Sequence, residues 1–424
     1  MKKLLFLLLP CVIFAQSFIL SNIPLPKIYV QDLDPYTCNN ACMKELLDNG
    51  QIFSFLSHAN KKLTDKDLEE ARIINMTVLN IGAANTGAKL KIALLLPYNK
   101  IGKYASTTTN ATFAYLMTKS NPFMLKSYKI EKEDISDLQQ ALDKIESDGF
   151  TYVIAPLTAK GVNNVIKLNP NINIYFPTIN KKDVNTSSPS FIFGGIDYKK
   201  QSQMLLHEAV SPLVIFSDKS QIGKKLARYQ EEEFLHPSSD LNDTMSYSDK
   251  VSVYGEDTKL TQEKKVFNYF IPKRRTNFEN YLKENENIVN ASFFVNTPII
   301  KTGMILSQLT LYDVNATNIL STQINYDPLL LSMTQYIDRK NMIVANSITK
   351  NNNVLIETNS LLGNDIVYDW INYTTTVGID YFYAQITGEK REYNINLSDN
   401  QMIYHTELLR PGISRFFPYS PKQE

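Results

Sequence analysis

Short apolar runs bounded by proline and glycine set the pattern for most of the chain. In the stretch KIALLLPYNKIGKYA, the run Ile92 to Leu96 shows no alternation of apolar and polar residues, and a glycine loop follows it. A run too short for a helix, apolar on both faces, is typical of a buried parallel strand. The stretch therefore predicts a first βα unit whose loop lies at the carboxyl end of the strand, where open α/β sheets bind ligands.

The alternation of strand and helix continues along the rest of the chain. The helical pattern DISDLQQALDKIESDGF precedes another apolar run, and the stretches that open with NINIYFP, SPLVIFSD and ASFFVNTP each place a polar turn after a strand. This order predicts parallel sheets with helices on both faces. Because about 330 residues exceed one ordinary open sheet, we expect two lobes, with the chain crossing between them near residues 200–212 and again in the 340s.

Residues 16–88 carry a different pattern. Met43 to Leu56 and Asp65 to Leu79 have apolar residues at helical spacing, and Thr64 is the expected N-cap of the second helix. The small-residue stretch IGAANTGAK then leads into the first strand. The pattern predicts a small α-helical region at 16–88, followed by a two-lobed α/β domain at 89–424.

The first fifteen residues have the layout of a signal peptide. A short positive segment, Met1 to Lys3, precedes the apolar run Leu4 to Phe14, and Ala15 supplies a small residue for cleavage. Cys11 has neither a small residue before it nor polar chain after it, so no lipid anchor is expected. Pro10 and the short length argue against an uncleaved membrane anchor. We expect an exported, periplasmic protein with no membrane span in its mature chain.

Composition and motifs narrow the function classes. The net charge of +1, with 21% charged residues, offers no electrostatic case for binding nucleic acid or an anionic membrane. The four histidines lie in unrelated contexts, and the chain has no H-E-x-x-H, no Gly-x-Ser-x-Gly and no phosphate-binding loop. We therefore expect no catalytic residues, no metal and no cofactor, and predict that the protein is not an enzyme.

Two cysteines remain after signal removal, in the stretch DPYTCNNACMKELLDNG. Two near neighbours in an oxidising compartment predict a disulfide between Cys38 and Cys42. A pair four residues apart in an unbroken helix lies near the upper limit of disulfide Cα spacing, so we expect a loop or distorted turn there. A structural clip is the favoured interpretation, and a redox role stays open.

The order of elements resembles the type 1 periplasmic-binding-protein fold. IALLLPYNKIGKYA is similar to its opening strand and glycine loop, LVIFSDKSQIGKKLA to the strand that opens its second lobe, and GIDYFYAQITGEKREYNINLSDNQMIYHTELLRPGISRF to its closing helix and hairpin. The resemblance implies two Rossmann-like lobes, lobe 1 at about 89–205 plus parts of 345–424, and lobe 2 at about 206–344. Within that superfamily, LLLP and the preceding helical region look most like LppC-type activators of penicillin-binding proteins.

The resemblance also implies where a ligand cleft lies. Amino-acid receptors of this superfamily hold the ligand's charges with hydroxyls and backbone N–H groups on first-lobe loops, and Thr158 stands where the first hydroxyl is expected. The next loop reads Thr178-Ile179-Asn180-Lys181 and does not reproduce that clamp. Five residues are expected to face the cleft, each more readily as a rim or hinge residue than as a ligand contact: Tyr98, Thr158, Asn180, Asp218 and Tyr326.

Two Asn-x-Ser/Thr sequons in predicted loops carry an acid two residues upstream. They are Asp183-Val-Asn185-Thr-Ser187 and Asp313-Val-Asn315-Ala-Thr317. This extended form resembles the acceptor of bacterial periplasmic oligosaccharyltransferases, which makes Asn185 and Asn315 candidate glycosylation sites. An asparagine-rich chain also produces sequons by chance.

Two function classes follow from these observations. The first is a non-catalytic binding-fold protein that acts through a protein partner in the envelope, as the LppC-like resemblance implies for cell-wall synthesis. The alternative is a periplasmic receptor that delivers an amino acid or similar small molecule to a transporter or sensor. The missing hydroxyl clamp and the additional helical region favour the first class.

Overall fold

The structure, a computed structural model, describes residues 28–82, 90–238 and 264–420. Within these ranges the chain forms a group of three helices and two seven-stranded sheets. The expected signal peptide, residues 1–15, lies outside the described residues.

The N-terminal region is helical and has a small core of its own. Its helices are α1 (Asn40–Asp48), α2 (Ile52–His58) and α3 (Lys66–Val78). Phe55 is fully buried at the centre of this core, together with Met43 and Leu68. The predicted small α-helical region before the two-lobed domain is therefore confirmed.

Two local details of this region differ from the prediction. The expected helix from Met43 to Leu56 is interrupted at Gly50, whose φ of +70° belongs to the left-handed region that ends helices. The N-cap of α3 is Asp65 rather than Thr64, because the Asp65 carboxylate accepts the backbone N–H groups of Asp67 and Leu68.

The first sheet has the order β11-β12-β5-β4-β3-β1-β2. Its strands are β1 (Leu90–Leu96), β2 (Phe123–Lys129), β3 (Tyr152–Ile154), β4 (Asn173–Phe176), β5 (Phe191–Phe193), β11 (Asn396–Ser398) and β12 (Gln401–Ile403). All neighbours pair in parallel except β11 and β12, which form a hairpin. Ile92 to Leu96 are fully buried, as the uninterrupted apolar run predicts for a central parallel strand.

The second sheet repeats this plan with the order β14-β13-β10-β9-β8-β6-β7. Its strands are β6 (Leu213–Asp218), β7 (Val266–Ile271), β8 (Ser292–Asn296), β9 (Asn318–Ser321), β10 (Met342–Asn346), β13 (Glu407–Pro411) and β14 (Phe416–Pro418). The first five run parallel, and the β13–β14 hairpin pairs antiparallel with β10.

Helices cover both faces of each sheet, which gives four apolar layers. On the first sheet, one face packs α5 (Lys103–Met117), α14 (Asn353–Leu361) and α15 (Trp370–Thr387), and the other packs α6 (Ile135–Ser147) and α7 (Ala159–Leu168). On the second sheet, α8 (Tyr198–Leu206) and α9 (Gln221–Leu235) lie opposite α11 (Ile299–Leu311). The remaining short helices are α4 (Tyr98–Ile101), α10 (Glu279–Leu282), α12 (Pro328–Met333) and α13 (Tyr336–Arg339). The predicted two-lobed α/β architecture is confirmed.

The chain passes between the two sheets three times. The first passage precedes α8, which packs on β9 and β10 of the second sheet, so it lies earlier than the expected 200–212. The second follows β10 at Asn346, in the expected 340s, and the third joins β12 to β13. Three connections place the boundary between the lobes at the carboxyl ends of the parallel strands, where the candidate residues lie.

Candidate functional site

Thr158 follows β3 and caps α7, but its polar groups are already bound. Its backbone N–H donates to Glu133 Oε1 at 2.8 Å, and its hydroxyl donates to Glu133 Oε2. Glu133 is only 3% exposed, and its backbone carbonyl accepts the Asn164 amide at 2.7 Å. A carboxylate at a helix N-terminus is well stabilised. The protein's own side chain therefore binds the turn at which the resemblance to amino-acid receptors implied the first ligand-binding hydroxyl.

Gly161 makes room for this carboxylate. A Cβ at that position would lie 2.8 Å from the carboxyl carbon of Glu133, closer than van der Waals contact allows. The first turn of α7 is thus shaped around the Glu133 side chain.

The side chains of Asn180 and Asp218 make hydrogen bonds within the loops that contain them. Asn180 is 6% exposed, donates its amide to the Gly195 carbonyl at 3.1 Å and accepts the Lys182 N–H at 3.1 Å. Asp218 ends β6 and accepts the hydroxyl of Ser220 at 2.5 Å and its N–H at 3.1 Å. Both side chains serve turn geometry.

The two candidate tyrosines are packed against other aromatic rings. Tyr98 meets Tyr36 of the N-terminal region edge to face at 5.9 Å, and burial raises the pKa of Tyr98 to about 12. Tyr326 lies between Tyr368 and Phe416, with ring centroids 5.0 and 4.9 Å away. Tyr368 belongs to the segment before α15 and Phe416 to β14, so this cluster bridges the lobes. No hydrogen bond, ion pair or ring contact within the described ranges joins any two of the five candidates.

A buried amide network links the three passages between the sheets, and sequence reasoning missed it. The Gln201 amide donates to the Ser347 hydroxyl at 2.8 Å and accepts the Gln323 N–H at 2.9 Å. The Ser347 N–H donates to Gln323 Oε1 at 2.6 Å, and the Ser347 and Thr406 hydroxyls lie 2.9 Å apart. These four residues are at most 7% exposed. Fully satisfied buried networks of this kind rigidify a structure.

Two cavities among the described residues lie elsewhere, between the N-terminal region and the outer strand of the first sheet. One measures about 560 Å³ and is lined by Asp34, Tyr36 and His58 on one side and by Lys129 on the other. The second measures about 570 Å³ and adjoins it along β2. Both volumes are in the range of ligand-binding pockets.

His58 joins the helical region to the wall of the first cavity. Its Nδ1 lies 3.2 Å from Asp32 Oδ2, and its Nε2 lies 3.7 Å from Asp34 Oδ2. Burial raises the pKa of Asp32 above its ordinary value, although the neighbouring His58 opposes that shift. The lysine facing this wall, Lys129, lies 4.2 Å from the centre of the Tyr36 ring.

Cys38 and Cys42 form a disulfide, as predicted. Cys38 precedes the N-cap Asn39, and Cys42 lies in the first turn of α1, so the bond spans the start of the helix. The expected departure from an unbroken helix is confirmed.

The two candidate glycosylation sites are both exposed loop residues but differ in their contacts. Asn315 donates its amide to Asn290 Oδ1 at 2.9 Å, whereas Asn185 makes no hydrogen bond with other described residues. Asp183, the acid before Asn185, is ion-paired with Lys225 of α9 on the other lobe. The extended sequon also occurs at Asp240-Leu241-Asn242-Asp243-Thr244, outside the described residues.

Within residues 28–82, 90–238 and 264–420, no three His, Cys, Asp or Glu side chains are grouped so that they could hold a metal ion. No helix in the same ranges is long and apolar enough to cross a bilayer.

Comparison with solved structures shows the fold. An ABC transporter substrate-binding protein from Sphaerobacter thermophilus aligns over 78% of this chain and 98% of its own, with a TM-score of 0.56 and 10% identity. The branched-chain amino acid binding protein LivJ from Streptococcus pneumoniae, solved with isoleucine, aligns over 77% of this chain and 97% of its own. Its TM-score is 0.54, and its sequence identity is 8%. The chain therefore has the two-lobed fold of type 1 periplasmic binding proteins.

A third similar structure is the C-domain of LpoA from Haemophilus influenzae, described as a regulator of PBP1A. It covers 78% of this chain and 100% of its own, with 9% identity, but its TM-score of 0.48 is too low to bear on function. No protein-family model matches the chain. No curated protein sequence matches it either.

Proposed function

We propose that this is an exported, non-catalytic binding-fold protein that works in the periplasm through a protein partner in the cell envelope. The observation that carries the proposal is the occupation of the Thr158 turn by Glu133. A receptor must match the charges of a small ligand with polar groups that are available when the lobes close, because unmatched charges are costly to desolvate. Here the N–H and the hydroxyl of that turn are bound internally.

Two further observations support a protein partner. The amide network through Gln201 and Ser347 ties together the passages about which the lobes of a receptor would have to move. Two cavities of about 560 and 570 Å³ adjoin the N-terminal helical region, which a minimal receptor does not require. The LppC-like sequence resemblance makes a cell-wall synthase the first partner class to test.

The alternative, a solute receptor, is favoured by the fold it shares with LivJ-like proteins. Thermal melting of the mature protein with amino acids, short peptides, sugars and nucleobases distinguishes a solute receptor from a protein that acts through a protein partner. A ligand at a hundred times its dissociation constant stabilises the folded state by about 2.7 kcal/mol, which raises the melting temperature by a few degrees.

The proposal expects no shift with any of these ligands, together with capture of a defined envelope protein by the cross-linked mature chain. A reproducible shift with one ligand class, abolished by Thr158→Ala, would instead establish the receptor. Glu146→Gln, an exposed change on α6, serves as the matched control in both measurements.

A further inference from the structure

The outer edge of the first sheet is only partly covered. β2 is the last strand of that sheet. Because the Ile130 N–H donates to the Leu96 carbonyl, the backbone N–H and C=O groups of the even-numbered residues of β2 point toward β1. In a parallel strand the N–H and C=O of one residue point the same way, and those of the next point the other way. The backbone groups of Leu125, Ser127 and Lys129 therefore point away from the sheet.

One side chain of the N-terminal region covers part of this edge. The Gln31 amide donates to the Phe123 carbonyl at 3.2 Å and accepts the Leu125 N–H at 2.7 Å, as the peptide group of a neighbouring strand would. Beyond Gln31, no described residue pairs with the outward N–H or C=O of Ser127. Among the residues that the structure describes, none hydrogen-bonds the Ser127 hydroxyl either, although Ser127 is only 8% exposed.

The two cavities lie on either side of this point. They share Asp32, Asp34, Lys126 and Ser127, so they adjoin along the strand. Buried backbone groups are nearly always hydrogen-bonded in native proteins. The outward peptide group of Ser127, which lies beside open volume, is therefore a position with which a further chain can pair.

The chemistry of the walls changes along β2. Near the start of the strand, the cavity is lined by apolar side chains, among them Phe113, Met117 and Phe123. Near its end, the cavity is lined by charges of both signs, including Glu131 and Lys144, and by the exposed ring of Tyr36.

We propose that an extended segment of a partner protein binds here as an added strand along β2, opposite Ser127. The segment carries an apolar side chain toward Phe123 and polar or charged side chains toward Lys129. Strand addition uses main-chain hydrogen bonds for affinity and side-chain pockets for specificity; here the outward groups of Ser127 offer the first, and the two cavities offer the second. The inference rests on the proposed function, since it names the surface that a protein partner uses.

A single peptide fits this edge better than a second copy of the chain. The N-terminal region lies over the strand and buries Ser127, which prevents another sheet from approaching side by side. Lys126 and Lys129 also flank the open position, and lysines at sheet edges oppose pairing between identical copies.

The test removes the outward N–H and leaves the ladder with β1 intact. Ser127→Pro does this, since proline is tolerated on edge strands where the N–H is not in the ladder. Ser127→Ala is the matched control, because it removes the hydroxyl and keeps the N–H. Met117→Glu, at a 56% exposed position, is a second variant that places a charge in the apolar cavity.

The probe is a display library of random linear decapeptides, panned on the full mature chain, with selected peptides then titrated by fluorescence anisotropy. We expect at least tenfold weaker binding to Ser127→Pro and to Met117→Glu, and binding within threefold of wild type for Ser127→Ala. If Ser127→Pro does not fold, the peptide affinity of Met117→Glu alone decides whether the segment binds at this edge.

Two results would overturn the inference: no enrichment of peptides, or selected peptides that bind all variants equally. If wild type and Ser127→Pro captured an envelope protein equally well, the result would contradict binding at this edge but would be consistent with the proposed function. A small-molecule shift of the melting temperature that depends on Thr158 would remove the proposed function itself.

Discussion

The contact between Glu133 and Thr158 gives the sharpest prediction about the candidate cleft. Glu133 is only 3% exposed, and Glu133→Ala removes its carboxylate, which accepts two hydrogen bonds from Thr158. A hydrogen bond to a charged group contributes about 1.5 to 3 kcal/mol to stability. Thr158 itself is exposed, so water replaces part of what is lost. We expect a loss of about 2 to 3 kcal/mol from the free energy of unfolding.

The assay is urea unfolding followed by tyrosine and tryptophan fluorescence, with Glu146→Gln as the exposed control on the same lobe. Gly161→Ala provides a coupled test, because its Cβ clashes with the Glu133 carboxyl group only while that group is present. We expect Gly161→Ala to destabilise the wild type and to cost clearly less in Glu133→Ala, where the added Cβ still lies 3.1 Å from the Leu157 Cβ but alanine favours the helix over glycine. Strictly additive effects, or wild-type stability of Glu133→Ala, would refute the assignment of this carboxylate to the turn.

Three further predictions concern other parts of the molecule. Burial raises the pKa of Asp369, so the folded state holds that proton more tightly than the unfolded state, and stability falls as the pH rises above about 4. Asp369→Asn keeps an N-cap for α15, and its stability relative to wild type, measured by thermal melting, should increase from pH 3 to pH 7. Gln201→Leu leaves buried polar partners unpaired and should cost about 3 kcal/mol in chemical denaturation, where a change within error would contradict a role for the amide network. In a host with a periplasmic oligosaccharyltransferase, mass spectrometry of proteolytic peptides should show sugar on Asn185 in preference to Asn315, whose amide is hydrogen-bonded; the reverse order would contradict this reasoning.

The local pattern of the chain was sufficient to predict the architecture. The run from Ile92 to Leu96 is apolar at every position because both faces of a central parallel strand are covered, and the structure buries all five residues. Gly149, with a φ of +76°, ends the helix that precedes β3, as its position in the sequence indicates. Such features depend on neighbours in the sequence and are visible without the fold.

The site could not be predicted in the same way, because it depends on contacts between distant residues. Glu133 and Thr158 are separated by 25 positions, and neither local sequence shows that the carboxylate turns inward. Gln201 and Gln323 are polar residues in ordinary surroundings that become buried only when three passages of the chain meet. Gln31 likewise covers a strand more than ninety residues away.

The two hairpins at residues 396–418 have a consequence for the folding of both lobes. β11 and β12 complete the first sheet, and β13 and β14 complete the second, although the other five strands of each sheet come from residues 90–346. Such pairings are distant in sequence and therefore slow to form. Until this late segment has emerged from the site of synthesis or, under the proposed function, of export, β5 and β10 stay unpaired on one side. A chain interrupted before residue 396 would thus present two open sheet edges at once and should require a chaperone to stay out of aggregates.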